Sequence, residues 1–329
     1  MSTAKWPFVL FLICACTLLA SGQEDDPLKI DTSVVRLNVG VVDQRGNSVT
    51  SLDRSNFKIF EDGVKQEITR FEPSTAPFSV VMMLDMSGST LPMRQVMKQS
   101  AFRFLDALSP EDRVAVVEFY DKVNLRNDFT VDRRVVANSI NVSNGRGKTQ
   151  FYKALDFALD KLAKEGNRRK AIIVLSDGVD TSLQDVDRQS LSTLDDAAIP
   201  TAIKPENNET LKRILNKADL LGATVYPLAL PTGDPAKLAD PTLRQIAMYK
   251  AARARLQAVA DRTGGTLHAI NRLEDMGGVY AVVAAEIRTL YTIEYQTQNE
   301  KHDGKWREVN IRVDNPNLIS RTRPGYFAR

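Results

Sequence analysis

The chain has 329 residues, of which 43% are hydrophobic and 26% are charged. This is the composition of an ordinary globular protein, and the length fits about two domains. The 44 Lys and Arg residues are interspersed with 41 Asp and Glu residues, which leaves a formal net charge of only +3. Such a charge distribution predicts no basic surface, so we expect no nucleic-acid partner.

Residues 1–22 have the pattern of a secretory signal peptide. Lys5 supplies a positive start, Trp6 to Ala20 is apolar, and Ala20-Ser21-Gly22 is a small-residue cleavage site. The apolar run is shorter than the roughly 20 residues that span a bilayer, which favours a cleaved signal over a permanent anchor. We therefore expect an exported, periplasmic or extracellular protein whose mature chain begins near Gln23.

The only two cysteines, Cys14 and Cys16, lie inside this segment, so the predicted mature chain has no thiol and no disulfide. Two alternatives would place the protein at a membrane: an uncleaved N-terminal anchor, and lipidation at Cys16.

The two ends of the chain alternate apolar and polar residues with a period of two, which is the pattern of half-buried strands. Asp62-Gly63 predicts a tight turn between two strands near the N-terminal end. We expect residues 28–73 and 291–329 to pair into one small all-β sandwich, because neither end has enough apolar residues to form a stable sheet alone. The inward-facing positions are Val35, Leu37, Val39, Val41, Tyr291, Ile293, Tyr295, Val309, Ile311 and Val313.

The middle of the chain, residues 77–290, alternates buried strands with amphipathic helices. This order predicts an α/β fold with a doubly wound, mostly parallel sheet and helices on both faces, inserted into the β-sandwich. Tyr120-Asp121-Lys122 turns one strand back into residues 123–129, which predicts one antiparallel edge strand. Residues 183–208 and 231–241 are polar or irregular, and we expect them to form long surface loops.

One strand of this domain ends in a group of hard oxygen ligands. An apolar run from Phe78 to Leu84 is followed by Asp85, Ser87 and Ser89. A loop at the end of a strand can bring these three side chains onto one cation. Because they offer carboxylate and hydroxyl oxygens, we predict Mg²⁺ or Mn²⁺.

This Asp-x-Ser-x-Ser arrangement resembles the metal-ion-dependent adhesion site of von Willebrand factor A domains. Two further pieces of that motif are present in the same order. Thr149 stands in Gly147-Lys148-Thr149 at the start of a helix, and Asp177 follows the buried run Ile172 to Ser176. The division of the chain is similar to exported bacterial proteins related to von Willebrand factor A.

The resemblance implies a bound metal and a protein partner. Ser87, Ser89 and Thr149 would hold the metal directly, while Asp85 and Asp177 would reach it directly or through water. One coordination position would remain for an Asp or Glu of a protein ligand, as in a cell-adhesion module. Residues around this anchor that could set specificity are Arg94, Lys148 and Gln150.

Other functions are weighed against this one. Gly145 to Thr149 is similar to a phosphate-binding loop, but Val142 stands where that motif needs Gly, so we expect no nucleotide. The only histidines are His268, near a strand end, and His302, in a turn of the other domain, so we expect no acyl-transfer triad. Asp85 could suggest a phosphoryl-transfer nucleophile, but Ser87 stands where such enzymes have a second acid. We therefore expect no enzyme, and two alternatives stay open: an exported assembly or scaffold subunit with a non-essential metal site, and a metal-dependent hydrolase.

Overall fold

The computed structural model describes residues 34–328. The predicted signal peptide and Cys16 lie outside the described residues, so cleavage near Gln23 and lipidation stay untested predictions. Among residues 34–328, no helix combines the length and the apolar character needed to span a bilayer.

Strands and helices alternate through the middle of the chain, and strands alone form its two ends. The strands are β1 Val34–Asp43, β2 Phe57–Glu61, β3 Val64–Gln66, β4 Ile68–Glu72, β5 Phe78–Asp85, β6 Arg113–Phe119, β7 Val123–Thr130, β8 Arg169–Ser176, β9 Ala223–Ala229, β10 His268–Ala269, β11 Tyr291–Gln296, β12 Trp306–Val313, β13 Leu318–Arg321 and β14 Gly325–Phe327. The helices are α1 Arg94–Ala107, α2 Arg133–Val142, α3 Phe151–Ala163, α4 Thr181–Ser192, α5 Glu209–Leu221, α6 Leu243–Thr263 and α7 Met276–Thr289.

The central sheet has the strand order β10-β9-β8-β5-β6-β7. All neighbours in it are parallel except β6 and β7, which pair antiparallel as the turn at residues 120–122 predicts. Each residue of β5 and β8 is buried, as expected for strands covered on both faces. The predicted α/β fold class is therefore confirmed.

Side chains of β5 alternate between two apolar cores. Val80, Met82 and Leu84 pack with α1, α2 and α7 on one face. Val81 and Met83 pack with α3, α5 and α6 on the other face. This alternation follows from the period of two in a strand, and it fixes β5 in the centre of the domain.

The two chain ends form two four-stranded antiparallel sheets that share one core. One sheet has the order β13-β1-β11-β4 and the other β14-β12-β2-β3, so each sheet combines strands from both ends of the chain. The turn between β2 and β3 is Asp62-Gly63, with φ of 47° and 80°, the left-handed values that a two-residue hairpin turn requires. The apolar residues predicted from the period of two are in this core, with Val313 partly buried at its edge.

The expectation of an irregular loop over residues 183–208 is wrong in its first part, because α4 occupies residues 181–192. Asp180 caps this helix, and its carboxylate accepts hydrogen bonds from the backbone N–H groups of Ser182 and Leu183. The apolar period of α4 is interrupted by Asp187, which is buried and paired with Arg255 of α6. Because a charged residue stands at a buried position, the apolar period of this helix is not recognisable in the sequence.

Arg169 joins the two parts of the molecule. Its side chain is fully buried and its guanidinium lies 3.8 Å from the centroid of the Phe78 ring. It donates hydrogen bonds to carbonyls of the segment that leads into β5, at Pro73, Ser74 and Ala76, and of the end of α7 and the residue after it, at Ile287 and Leu290. Both crossings between the β-sandwich and the α/β domain are thus held by one side chain.

Candidate metal site

The predicted metal residues lie where the strand order reverses. From β5 the chain builds β6 and β7 on one side, and then β8, β9 and β10 on the other. Asp85 ends β5, and Asp177 directly follows the neighbouring parallel strand β8. In open α/β sheets, the loops on the two sides of such a point diverge and leave a crevice at the carboxyl ends of the strands, where ligands bind.

Four of the five predicted ligands are connected by hydrogen bonds. The backbone N–H of Ser87 donates to Asp85 Oδ1 over 3.0 Å. The Oγ atoms of Ser87 and Ser89 are 3.2 Å apart, and Ser89 Oγ donates to Asp177 Oδ2 over 3.1 Å. Asp85, Ser87 and Asp177 are buried, whereas Ser89 is exposed. The group therefore opens to solvent on the Ser89 side.

Thr149 reaches the same edge through its loop. The Gly88 N–H donates to the Gly147 carbonyl over 3.0 Å, which joins this loop to the Asp85–Ser89 loop. Thr149 is buried, its N–H donates to Thr181 Oγ1 over 2.9 Å, and its carbonyl accepts from the Thr181 N–H over 3.0 Å. The backbone of Thr149 is thus held from two sides at the site.

Asp121, which the sequence indicates only as a turn residue, holds this loop in place. Its Oδ1 accepts from the Lys148 N–H over 2.6 Å, and its carbonyl accepts from Gln150 Nε2 over 2.8 Å. Gly147 has φ of 92°, and a Cβ at this position would lie 2.3 Å from Asp121 Oδ2. Only glycine fits both the backbone angle and the close approach.

The donors to the two carboxylates are all uncharged. Asp85 accepts from the Ser87 N–H and, over 2.7 Å, from Ser176 Oγ. Asp177 accepts from Ser89 Oγ, from the Val179 N–H over 3.0 Å, and from Thr232 Oγ1 over 2.7 Å.

Two of these donors, Ser176 and Thr232, are not among the site residues predicted from the sequence. Ser176 directly precedes Asp177 and could have been found by that position, whereas Thr232 lies in a loop without periodicity.

Burial and the neighbouring Asp177 carboxylate raise the pKa of Asp85 to about 7. Burial is the larger cause, because a carboxylate loses its hydration inside the protein. The hydrogen bonds from Ser87 and Ser176 act in the opposite direction and lower this pKa. A cation between the two carboxylates would relieve both unfavourable contributions.

The residues present fit a hard divalent cation. Within residues 34–328, no three His, Cys, Asp or Glu side chains converge to hold a metal. A metal at this site would therefore depend on hydroxyl oxygens as well as on the two carboxylates. Mg²⁺ fits such a set, because it is bound through one or two carboxylates and keeps oxygen ligands from water or a partner.

The residues predicted to set specificity are differently placed. Arg94 points into the protein, where its guanidinium donates to the carbonyls of Met86, Ser87 and Gly145 and to Asn144 Oδ1. Its hydrogen bonds to Met86 and Ser87 hold the backbone of the Asp85–Ser89 loop. Gln150 is tied to Asp121, and Lys148 is exposed.

Comparison with known proteins agrees with this geometry. A family model described as von Willebrand factor type A domain matches residues 80–179. The human voltage-dependent calcium channel subunit alpha-2/delta-2 is 27% identical over 125 residues, which cover 34% of this chain and 11% of that protein. The match thus spans about a tenth of the length of this relative.

Among solved structures, a von Willebrand factor type A protein from Catenulispora acidiphila has a TM-score of 0.47 and 14% identity, covering 90% of this chain and 63% of that chain. The von Willebrand factor domain of the type V pili tip protein Mfa5 from Porphyromonas gingivalis has a TM-score of 0.45 and 16% identity, covering 65% of this chain and 95% of that chain. The predicted resemblance is confirmed by the family model, because residues 80–179 match the von Willebrand factor type A domain.

Proposed function

We propose that this protein is a divalent-metal-dependent protein-binding module. In this proposal, Asp85, Ser87, Ser89, Thr149 and Asp177 hold Mg²⁺ or Mn²⁺, and the metal captures an Asp or Glu side chain of a partner. The cation supplies a positive centre that binds a carboxylate oxygen. The chain's own residues orient the ligands and hold the surrounding loops.

The observation that carries the proposal is the pair of buried carboxylates whose donors are all uncharged. A buried charge is costly unless it is paired, and two such groups side by side call for a cation. Arg94 is close, but its guanidinium donates to carbonyl oxygens and one amide oxygen. Within the described part of the chain, no positively charged side chain thus donates a hydrogen bond to either acid.

The need for an acidic partner follows from charge and coordination. When the two carboxylates contact the ion through water, the hydroxyls leave positions of its octahedral shell open and its charge incompletely neutralised. Ser89 lies on the exposed side, so a side chain of another protein can approach there. An incoming Asp or Glu completes the shell more favourably than a neutral group.

Binding without turnover fits the groups around the two acids, which are hydroxyls and backbone amides. A second candidate function is an assembly subunit, and the similarity to a channel subunit favours it. The two candidates differ in whether the metal is needed for the interaction.

The direct test is titration calorimetry of the metal-free mature protein with Mg²⁺ and with Mn²⁺. We expect one bound ion, and a gain of about 2.7 kcal/mol in the free energy of unfolding at 100 times the Kd. Asp85→Ala should abolish both effects, whereas Asp160→Ala, which changes an exposed carboxylate of α3, should preserve them. Identical melting curves with metal and with chelator, together with no heat of binding, would contradict the proposal.

Partner capture is tested by pull-down from native envelope extract with and without chelator. A partner should be lost with chelator, with Asp85→Ala, and with change of one of its own Asp or Glu residues to Ala. An interaction that survives chelation and Asp85→Ala would favour the assembly subunit. Function outside the cytoplasm is also part of this proposal. Mass spectrometry of the native protein should find its N-terminus near Gln23, whereas an intact Met1 or acylation at Cys16 would indicate a membrane-anchored protein instead.

A further inference from the structure

A cavity of about 240 Å³ lies next to the metal site, between α4, α6 and the loop after β9. Its apolar lining comes from Val179, Leu238, Met248, Tyr249 and Ala252. Leu238 is 48% exposed, and Val179, Met248 and Tyr249 are only partly buried. An apolar wall of this kind is thus open to a ligand from solvent.

The carboxylates of the cavity already accept hydrogen bonds from the protein. Both oxygens of Asp187 accept hydrogen bonds from the Arg255 guanidinium, over 2.6 Å and 2.7 Å. The Asp180 carboxylate accepts from three backbone N–H groups, those of Ser182, Leu183 and Tyr152. These carboxylates already have donors within the protein, so the cavity offers an occupant mainly its apolar wall.

The cavity wall is connected along the chain to the metal site on two sides. Gly178, Val179 and Asp180 of its wall directly follow Asp177 in the chain. On the other side, Thr232 donates to Asp177, and the next residue, Gly233, is part of the wall. Since Val179 is two residues from Asp177, the Cα atoms of these two residues are at most about 7 Å apart.

We propose that this cavity is a second subsite for the same partner, and that it takes an apolar side chain of the segment whose Asp or Glu binds the metal. This inference rests on the proposed function. Pockets for small-molecule ligands usually have about 300–1,000 Å³, so this smaller cavity suits one large side chain, such as Leu, Met or Phe. Given the spacing, that residue stands within about three positions of the acid.

The two contacts have different roles. The metal binds any accessible carboxylate, so alone it selects partners weakly. A buried apolar anchor in a pocket next to it adds affinity and makes the choice of partner depend on sequence.

The test is selection of a displayed library of random peptides on the full mature protein in Mg²⁺, with release by chelator. We expect the recovered peptides to share an Asp or Glu and, within three positions of it, an apolar residue. Leu238→Asn makes the cavity wall polar, and Ala252→Met fills the cavity. With either variant the acid should remain enriched, while the apolar preference disappears and a resynthesised wild-type peptide binds roughly 10- to 100-fold more weakly.

The matched control is Leu243→Asn, which changes a leucine of similar exposure, 44% against 48%, that is not part of the cavity wall. It should behave as the wild type, and circular dichroism confirms that each variant is folded. Peptides that share the acid but no neighbouring apolar residue would overturn this inference and leave the proposed function intact. So would an apolar preference that survives both Leu238→Asn and Ala252→Met. If the wild type yields no chelator-released peptide, the proposed function itself is contradicted, and this inference with it.

Discussion

Strand β8 has a different polar site at each of its two ends. At its start, the Arg169 guanidinium is buried and donates to five backbone carbonyls. At its end, Ser176 and Asp177 belong to a group in which two buried carboxylates accept hydrogen bonds only from uncharged donors. One end thus carries a cation without a carboxylate partner, and the other carries carboxylates without a cation.

The difference between the two ends lies in how completely the protein satisfies each charge. Carbonyl oxygens from both crossings between the β-sandwich and the α/β domain accept hydrogen bonds from the two terminal nitrogens of the Arg169 guanidinium, so its role is structural. Burial lowers the pKa of Arg169 to about 10, yet this guanidinium remains charged near neutral pH. The carboxylates at the other end share one exposed side, at Ser89, through which a ligand can enter. A buried charge that is hydrogen-bonded within the protein, as at Arg169, indicates a structural role at the domain boundary. A pair of buried carboxylates that opens to solvent indicates a binding site.

The largest effect expected from this comparison is on stability, at Arg169. Arg169→Met should lower the free energy of unfolding by about 3–5 kcal/mol, because it leaves several buried carbonyls without donors. Urea denaturation followed by circular dichroism measures this. Arg134→Met, at an exposed position of α2, should change stability by no more than about 0.5 kcal/mol.

An Arg169→Met variant as stable as the wild type would show that Arg169 does not hold the β-sandwich and the α/β domain together. The folded fraction of the variant should still bind Mg²⁺, since the metal site lies at the opposite edge of the sheet.

The sequence predicts most of the fold because its strands are unusually clear. The residues of β5 are almost all apolar, and the period of two in β1 and β12 is regular. The site follows from the same signal, because side chains after parallel strands meet at one edge of the sheet. Asp85 and Asp177 could therefore be placed together from sequence alone.

The parts that sequence does not predict depend on contacts between distant segments. Helix α4 is hidden because Asp187 occupies a buried position that is acceptable only with Arg255, 68 residues away. Thr232 is 55 residues from Asp177 and lies in a loop. Arg94 has the appearance of a surface residue, although its partners are carbonyls of two loops. In each case the role is defined by the partner, and a single sequence does not show partners.

The two buried carboxylates beside the end of β8 should make stability and metal affinity depend on pH. The pKa of Asp85 is about 7 in the metal-free folded protein, against an ordinary value of 3.8. Between about pH 4 and about pH 7, Asp85 is therefore protonated in the folded protein and ionised in the unfolded chain. The contribution of this group to stability therefore falls as pH rises from about 4 to about 7. Bound metal replaces that proton, so metal affinity should rise by up to about tenfold per pH unit below pH 7 and level off above it.

Calorimetry with Mn²⁺ at several pH values, in buffers of different ionisation enthalpy, measures both the affinity and the protons released. About one proton should be released per ion at pH 5.5 and almost none at pH 8. Asp85→Asn should make the fall in stability of the metal-free protein over this range smaller, and burial of Asp219, whose pKa is also raised, accounts for a remaining part. An affinity that does not change with pH would show that the two carboxylates are ionised without metal, and the contrast with the satisfied Arg169 end would be lost.

The smallest expected effect is on metal affinity, and it tests whether the loop after β9 is part of the metal site. Thr232 Oγ1 donates to the same oxygen of Asp177 that accepts from Ser89, so it orients a carboxylate predicted to face the metal. Thr232→Val keeps the shape of the side chain and removes this hydrogen bond. Outer partners of metal ligands typically contribute 10- to 100-fold in affinity, and we expect about tenfold because the Val179 N–H still holds Asp177. Thr210→Val, at an exposed position of α5, is the control. A Thr232→Val variant with unchanged metal affinity would restrict the site to the loops after β5 and β8. A weakened one would make the loop after β9 part of the metal site, and this loop also forms a wall of the neighbouring cavity.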